Sequence, residues 1–318
     1  MLRGSSGLAL QVRSLQQTTI WLFTLLLAVT VPVSAVENER TDADSSPAVE
    51  YSLWYRNYDS PAIRALVELA LAKTPEYGEY RLSRSQELTQ GRALYEMAKE
   101  QSGLIDIINV ATSPTRERRL NAIPVPIDGG LLGFRVCVTL PEKLPLFEGI
   151  ESLDDLMERG ISIGQGAHWP DTPILQSNGV TVVTHSRYEI LFGMLRNNRF
   201  DCFARGVSEV FHDLEVENDP DLVIEPNLLI AYPMPSYFFV GPEKDLTAYR
   251  LQLGLERAIE DGSFGDYLRH YYSDAVSSLD LEQRDIIRLE NPYLSEESRY
   301  VGRDTLRNLR QRLELFGQ

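Results

Sequence analysis

The sequence predicts an α/β protein of two lobes, each a doubly wound mixed sheet with flanking helices, the two joined by two crossing strands. Three observations carry that reading. Strand-like and helix-like segments alternate as βαβαβ between residues 49 and 110. The same alternation restarts at residue 161 and ends near residue 204. Beyond it lies a helical region, 246–272, whose apolar residues Leu251, Leu255, Ile259, Phe264, Tyr267 and Leu268 need a core. The natural one is that of the first unit, so the first lobe is expected to be assembled from discontinuous chain. The expected organisation is lobe 1 over 49–136 plus 236–280, lobe 2 over 137–235, and a C-terminal helical extension over 281–318.

Each element has a local reason. Residues 49–55 read as a strand, and Ser60-Pro61 as the N-cap and first residue of a helix whose apolar face is Ile63, Leu66, Val67, Ala70 and Leu71. Residues 80–82 form a weak strand, and Leu88, Leu94, Tyr95 and Ala98 mark a second helix. Residues 104–110 (LIDIINV) read as a buried strand. In the second unit, 161–164 is a strand, and Asp171-Thr172-Pro173 opens a helix that Asn178-Gly179 closes. A strand over 180–184, an amphipathic helix over 188–195 and a strand over 200–204 follow. Residues 132–140 and 237–241 are the two extended runs expected to cross between lobes, and Asp261-Gly262 interrupts the terminal helical region. In the tail, Leu306, Leu309, Leu313 and Phe316 recur at helical spacing, either to pack on the first lobe or to dock a partner.

At the N-terminus, Arg3 and Arg13 precede the apolar stretch IWLFTLLLAVTV (20–31), and Val33-Ser34-Ala35 supplies small residues. That stretch spans only about 18 Å as a helix, short of a hydrocarbon core about 30 Å thick. The pattern is that of a secretory signal over residues 1–35, cleaved after Ala35, with an uncleaved anchor as the alternative. Residues 36–48 are a polar tether, and the mature chain is expected to be soluble outside the cytoplasm, in the periplasm. With 43% hydrophobic residues the composition is globular. The net charge is −15 overall, and the signal segment holds two basic and no acidic residues. The mature part is therefore more acidic still, which argues against nucleic-acid binding.

Two cysteines, Cys137 and Cys202, lie on strand-like runs. They are read either as a disulfide, which an oxidising compartment permits, or as two buried small apolar side chains. The four histidines, His168, His185, His212 and His270, have no paired spacing, so neither a metal nor another cofactor is expected. No GxSxG elbow, HExxH or Walker loop is present.

Three phrases in order resemble the type II periplasmic binding proteins, specifically the family 3 bacterial extracellular solute-binding proteins. They are LIDIINVATSPTRER (104–118), ISIGQG (161–166) with its following helix and strand, and LRNNRFDCFAR (195–205); the region 246–272, with Asp261-Gly262-Ser263-Phe264 in its turn, is similar too. The resemblance spans residues 49–275. It implies a cleft whose two lobes close on a small polar or anionic solute, amino-acid-like or an organic acid, by supplying hydrogen bonds and excluding water.

The same resemblance places Arg118 as the guanidinium for a ligand carboxylate, with Arg116 and Arg119 as neighbours to which the role could slip, and Thr112 and Ser113 as loop groups facing the ligand. From the second lobe, Gly166, His168 and Trp169 follow a strand end, where ligands bind in such folds. Here Ala167-His168-Trp169 replaces the family's usual Gly-Thr or Gly-Ser-Thr. His168 and Trp169 either stack on the solute or plug the lobe interface. Tyr55 and Tyr58, in the loop 54–59, would wall the cleft or pack the lobe surface. Asp201 is read as structural.

The leading expectation is thus a non-catalytic, monomeric solute-binding protein whose partner is a small molecule and whose receiver is an inner-membrane ABC transporter or a sensor. A ligand-independent partner-binding protein and a dehydratase-like enzyme, in which His168, Glu117 and Asp59 would have to converge, are the alternatives.

Overall fold

The first strand, β1 (Val49–Leu53), starts almost at the beginning of the described residues, which are 48–99 and 102–300 of this computed structural model. Tyr51 and Leu53 point inward from it and Ser52 between them is only half-buried, the alternation of a strand with one covered face. Trp54 ends the extended run. Where the sequence suggested a loop, a short helix follows, α1 (Tyr55–Asp59). Ser60 then caps α2 (Pro61–Ala72), accepting from the Ile63 amide, with Pro61 at the first position, where no N–H is needed. Leu66, Val67, Ala70 and Leu71 form its buried stripe.

The first lobe continues through β2 (Tyr80–Arg84), α3 (Gln90–Met97), β3 (Ile107–Ala111), α4 (Pro114–Arg119) and β4 (Asn121–Ile123). The chain then enters the second lobe. There it forms β5 (Phe134–Thr139), α5 (Leu153–Glu158), β6 (Ser162–Gly166), α6 (Asp171–Ser177) and β7 (Thr181–His185). After these come α7 (Tyr188–Arg196), β8 (Cys202–Gly206), α8 (Val210–Glu217), β9 (Val223–Ile224) and β10 (Leu228–Ala231). The return brings β11 (Ser236–Val240), α9 (Asp245–Glu260) and α10 (Ser263–Ser278), and β12 (Asp285–Arg288) is the last strand described.

Strand order in the first sheet is β2-β1-β3-β11-β4. Strand β1 runs parallel to β2 and β3, and β11, arriving from beyond the second lobe, is antiparallel to β3 and β4. Helices α9 and α2 pack on this sheet at close range: a Cβ at Gly254 would lie 1.9 Å from the Ala70 carbonyl oxygen, so only glycine fits. The second sheet has the order β12-β10-β5-β8-β6-β7, with β9 also on β5. Cys137 on β5 and Cys202 on β8 are joined by a disulfide between these antiparallel neighbours, so the bridge, not the unbridged pair, is the form present.

Two expectations change. Both runs expected to cross between lobes lie inside one sheet each, β5 in the second and β11 in the first, and the chain changes lobe in the short segments 124–133 and 232–235. The first of these is pinned by Asp128, whose carboxylate accepts from the amides of Gly130 (2.9 Å) and Leu132 (2.7 Å) and from the Ser208 hydroxyl (3.0 Å).

The second change concerns the tail. Residues 281–300 are not a separate helical extension, because β12 adds to the second sheet parallel to β10 and buries Ile287 and Leu289 in that lobe's core. The chain then runs past the hinge, where Asn291 donates to the Pro233 carbonyl at 2.7 Å. It ends its described course on the first lobe, where the Ser298 hydroxyl donates to Glu117 at 2.7 Å. The signal segment, the tether up to residue 47 and the helix expected around Leu306–Phe316 lie outside the described residues.

Candidate functional site

The cavity between the lobes encloses roughly 180 Å³, room for one small solute. It is lined from the first lobe by α1, the start of α3, the end of β3 and α4, and from the second by the loop after β6, the start of α7 and the β8–α8 turn. Strand ends and helix starts therefore converge on it from both sides, as expected for sheets of this kind.

Arg116 is its central first-lobe residue. Ser113 caps α4 and Pro114 begins it, and in that register Arg116 and Leu120 share the inward face. Arg116 is 7% exposed. Its guanidinium donates to Gln90 Oε1 (2.8 Å), to the Ala111 carbonyl and, across the cleft, to the His168 carbonyl (3.0 Å). All three partners are neutral, and no ion pair compensates the charge among the described residues. Burial pushes its pKa down to about 10, against the attraction of Asp171, so it stays protonated at neutral pH.

The two other buried arginines that line the cavity are compensated. Arg135 on β5 pairs with Asp171 at the start of α6 (2.8 Å), and the Tyr232 hydroxyl donates to the same oxygen (2.6 Å). The anion at that helix start is thus the protein's own. Arg205 on β8 pairs with Asp213 (2.7 Å) and Glu209 (3.1 Å), and Tyr188 donates to Asp213 at 2.5 Å. Burial pushes both phenols, Tyr188 and Tyr232, well above their ordinary range and the neighbouring carboxylates add to it, so both remain hydrogen-bond donors. Arg205 also lies 5.0 Å from the Trp169 ring centroid and 5.2 Å from those of Tyr188 and Phe203. Arg56 of the first lobe caps the Tyr188 ring of the second at 3.7 Å, a contact of the cation–π kind. Among the described residues one buried side-chain donor has no hydrogen-bond partner, Arg135 Nη1, which lies beside Gly206, where a Cβ would stand 2.6 Å from it.

Of the residues predicted from sequence, Tyr55, Gly166, His168 and Trp169 line the cavity. The Tyr55 hydroxyl donates across the cleft to Glu189 at 3.3 Å, and the His168 ring packs against Gly91 of α3. Gly166 is required by Trp169, whose indole lies 2.6 Å from where a Cβ would stand. Trp169 stacks on Phe203 within its own lobe, with ring centroids 6.2 Å apart and planes 9° apart.

The other four lie off the cavity. Tyr58 packs on the first-lobe core with Arg64 over its ring. Thr112 bonds Glu117, and Ser113 is spent capping α4. Arg118 faces solvent and bonds Thr115, because it stands two residues from Arg116 and so on the opposite side of the helix. The residues that sequence reading missed are Arg135, Arg205, Asp213 and Tyr188, which no local motif announces. Nor do the groups proposed for acid–base chemistry converge: Glu117 is bonded to Thr112 and Ser298, and Asp59 to Arg84.

No family model matches the chain, and no curated protein matches it in sequence. Solved structures match its fold. An ancestral arginine-binding protein bound to arginine superimposes with a TM-score of 0.51 at 14% identity, over 70% of this chain and 98% of that one. An amino acid ABC transporter substrate-binding protein from Streptococcus pneumoniae bound to L-arginine gives 0.51 at 13% identity, over 71% and 95%. An ancestral amino acid-binding protein described as a precursor of cyclohexadienyl dehydratase gives 0.50 at 10% identity, over 70% and 95%. The chain therefore has the two-lobed fold of the type II periplasmic binding proteins.

Proposed function

We propose that the protein is a non-catalytic solute-binding protein that closes its lobes on a small carboxylate solute outside the cytoplasm. The observation that carries this is Arg116, a buried and uncompensated guanidinium in the wall of an interlobe cavity, held in place by a partner from each lobe. A charge left without a counter-ion in such a site is costly, and a ligand carboxylate supplies the missing partner in two-pronged geometry. The fold supports the same reading, since the structures it resembles are described as amino acid-binding.

The secretory pattern of residues 1–35 supports a periplasmic location, and among the described residues no helix is long and apolar enough to cross a membrane. An ABC transporter or a membrane sensor is the receiver such a binder would serve. A melting screen of the protein across amino acids and organic acids tests the proposal: stabilisation by at least one small carboxylate, lost in Arg116→Ala, is expected. No stabilisation by any of them would count against it.

A further inference from the structure

The three buried arginines that line the cavity are not partnered alike. Arg135 and Arg205 each meet a carboxylate, Asp171 at 2.8 Å for the first and Asp213 at 2.7 Å for the second. Arg116 meets an amide. Among the described residues the one side chain its guanidinium bonds is Gln90, whose Oε1 accepts from Nη2 at 2.8 Å. A guanidinium can only donate, so the same contact fixes which end of the Gln90 amide faces it.

Gln90 is the first residue of α3, directly after the Thr89 cap, and the first turn of that helix holds no acidic residue. Local physics favours a glutamate at such a position. A carboxylate interacts well with the positive end of a helix, and here it would also give the buried Arg116 the counter-ion it lacks. Glutamate matches glutamine in length and nearly in shape. The chain therefore forgoes two stabilising interactions at one residue, and departures of this kind are expected where function requires them.

We infer that Gln90 is the positioning residue that reserves Arg116 for the solute. Its neutral oxygen holds the guanidinium in the cavity wall, and its lack of charge leaves the ion pair for a ligand carboxylate to complete. The inference rests on the solute-binding reading above. A carboxylate in the place of the Gln90 amide would pair with Arg116 as Asp171 and Asp213 pair with their arginines, and would close the site to anions while steadying the protein.

Two variants of the full chain test it: Gln90→Glu adds the charge at almost unchanged shape, and Gln90→Met removes the hydrogen bond without adding charge. Calorimetric titration uses L-glutamate, L-arginine, succinate and 2-oxoglutarate as probes. For whichever of them binds the wild type, Gln90→Glu is expected to weaken affinity by roughly tenfold or more beyond the loss in Gln90→Met, the scale of one hydrogen bond to a charged group. Thermal unfolding without solute should move the other way, with Gln90→Glu melting above the wild type and Gln90→Met below it. A Gln90→Glu protein that binds like the wild type, that loses no more affinity than Gln90→Met, or that melts below the wild type would overturn the inference and leave the solute-binding reading standing. A wild type that binds none of the four probes would remove that reading, and the inference with it.

Discussion

The Arg116 guanidinium of the first lobe donates to the His168 backbone carbonyl of the second at 3.0 Å, while holding Gln90 on its own side at 2.8 Å. One residue thus serves the cavity wall and the contact between lobes. A lysine there keeps the charge but offers a single flexible point donor in place of a planar fork. Arg116→Lys is expected to weaken binding of the acid ligand by roughly tenfold or more, and Arg116→Ala to abolish it, the second also costing about 1–3 kcal/mol of stability from partners left unpaired. Titration calorimetry beside urea unfolding separates the two effects. Wild-type affinity in Arg116→Lys would show that the guanidinium geometry is not what the ligand reads.

The Cys137–Cys202 bridge closes a loop spanning 65 positions and ties β5 to β8 in the centre of the second sheet. In the chain-entropy description a loop of that size stabilises the fold by about 4 kcal/mol, with native-state effects reducing what is realised. The double variant Cys137→Ala/Cys202→Ala should therefore lose about 2–4 kcal/mol, read from denaturant unfolding, and reductant should lower the wild type but not the variant. Stability indifferent to both treatments would mean that the two thiols are not joined in solution.

Gly254 is the point of closest approach between α9 and α2, with the Ala70 carbonyl where a side chain would begin. Gly254→Ala gains helix propensity yet must push two packed helices apart. The overpacking term is expected to win, with a net loss of about 1–3 kcal/mol. Of these two helices only the start of α2, at Ala62 and Ile63, reaches the cavity, about two turns from Ala70, so ligand affinity of the folded variant should be unchanged. A thermal melt with a titration at a temperature well below it checks both halves, and a variant as stable as wild type would contradict the packing described.

The same close packing explains which parts of the structure could be read in advance. Strands β1, β3, β6 and β8 and helices α2, α7, α9 and α10 carry strong local signals: alternation, N-caps at Ser60 and an apolar stripe such as Leu66, Val67, Ala70 and Leu71. Strand β12 does not, since Asp285-Ile286-Ile287-Arg288 is two apolar residues between charges, and only its pairing with β10, more than fifty residues back, makes it a strand.

The cleft divides in the same way. Gly166, His168 and Trp169 follow a recognisable strand end. Arg116 and Arg118 differ only in helix register. The clue that would have separated them is Leu120, an apolar residue four positions after Arg116 and therefore on the same face. The ion-paired network of Arg135, Arg205, Asp171 and Asp213 is assembled from four separate elements, and nothing local foretells such a meeting.

Asp201, read from sequence as structural, stands at the head of β8. It accepts from Lys143 Nζ at 2.7 Å, from the Ser162 hydroxyl at 2.6 Å and from the Ser162 amide at 3.0 Å. Burial pushes its carboxyl up, but the hydrogen bonds and the Lys143 charge outweigh that and hold it below the ordinary aspartate range. A carboxyl depressed in the folded state contributes stability that is complete above its unfolded value of about 3.9 and is lost as pH falls through the folded value. Asp201→Asn should therefore be less stable than wild type near pH 7, with the gap closing as the pH drops below about 4. Urea unfolding of both proteins between pH 7 and pH 2 gives that difference directly. A gap that stayed constant over this range would mean that Asp201 acts through its shape and not its charge.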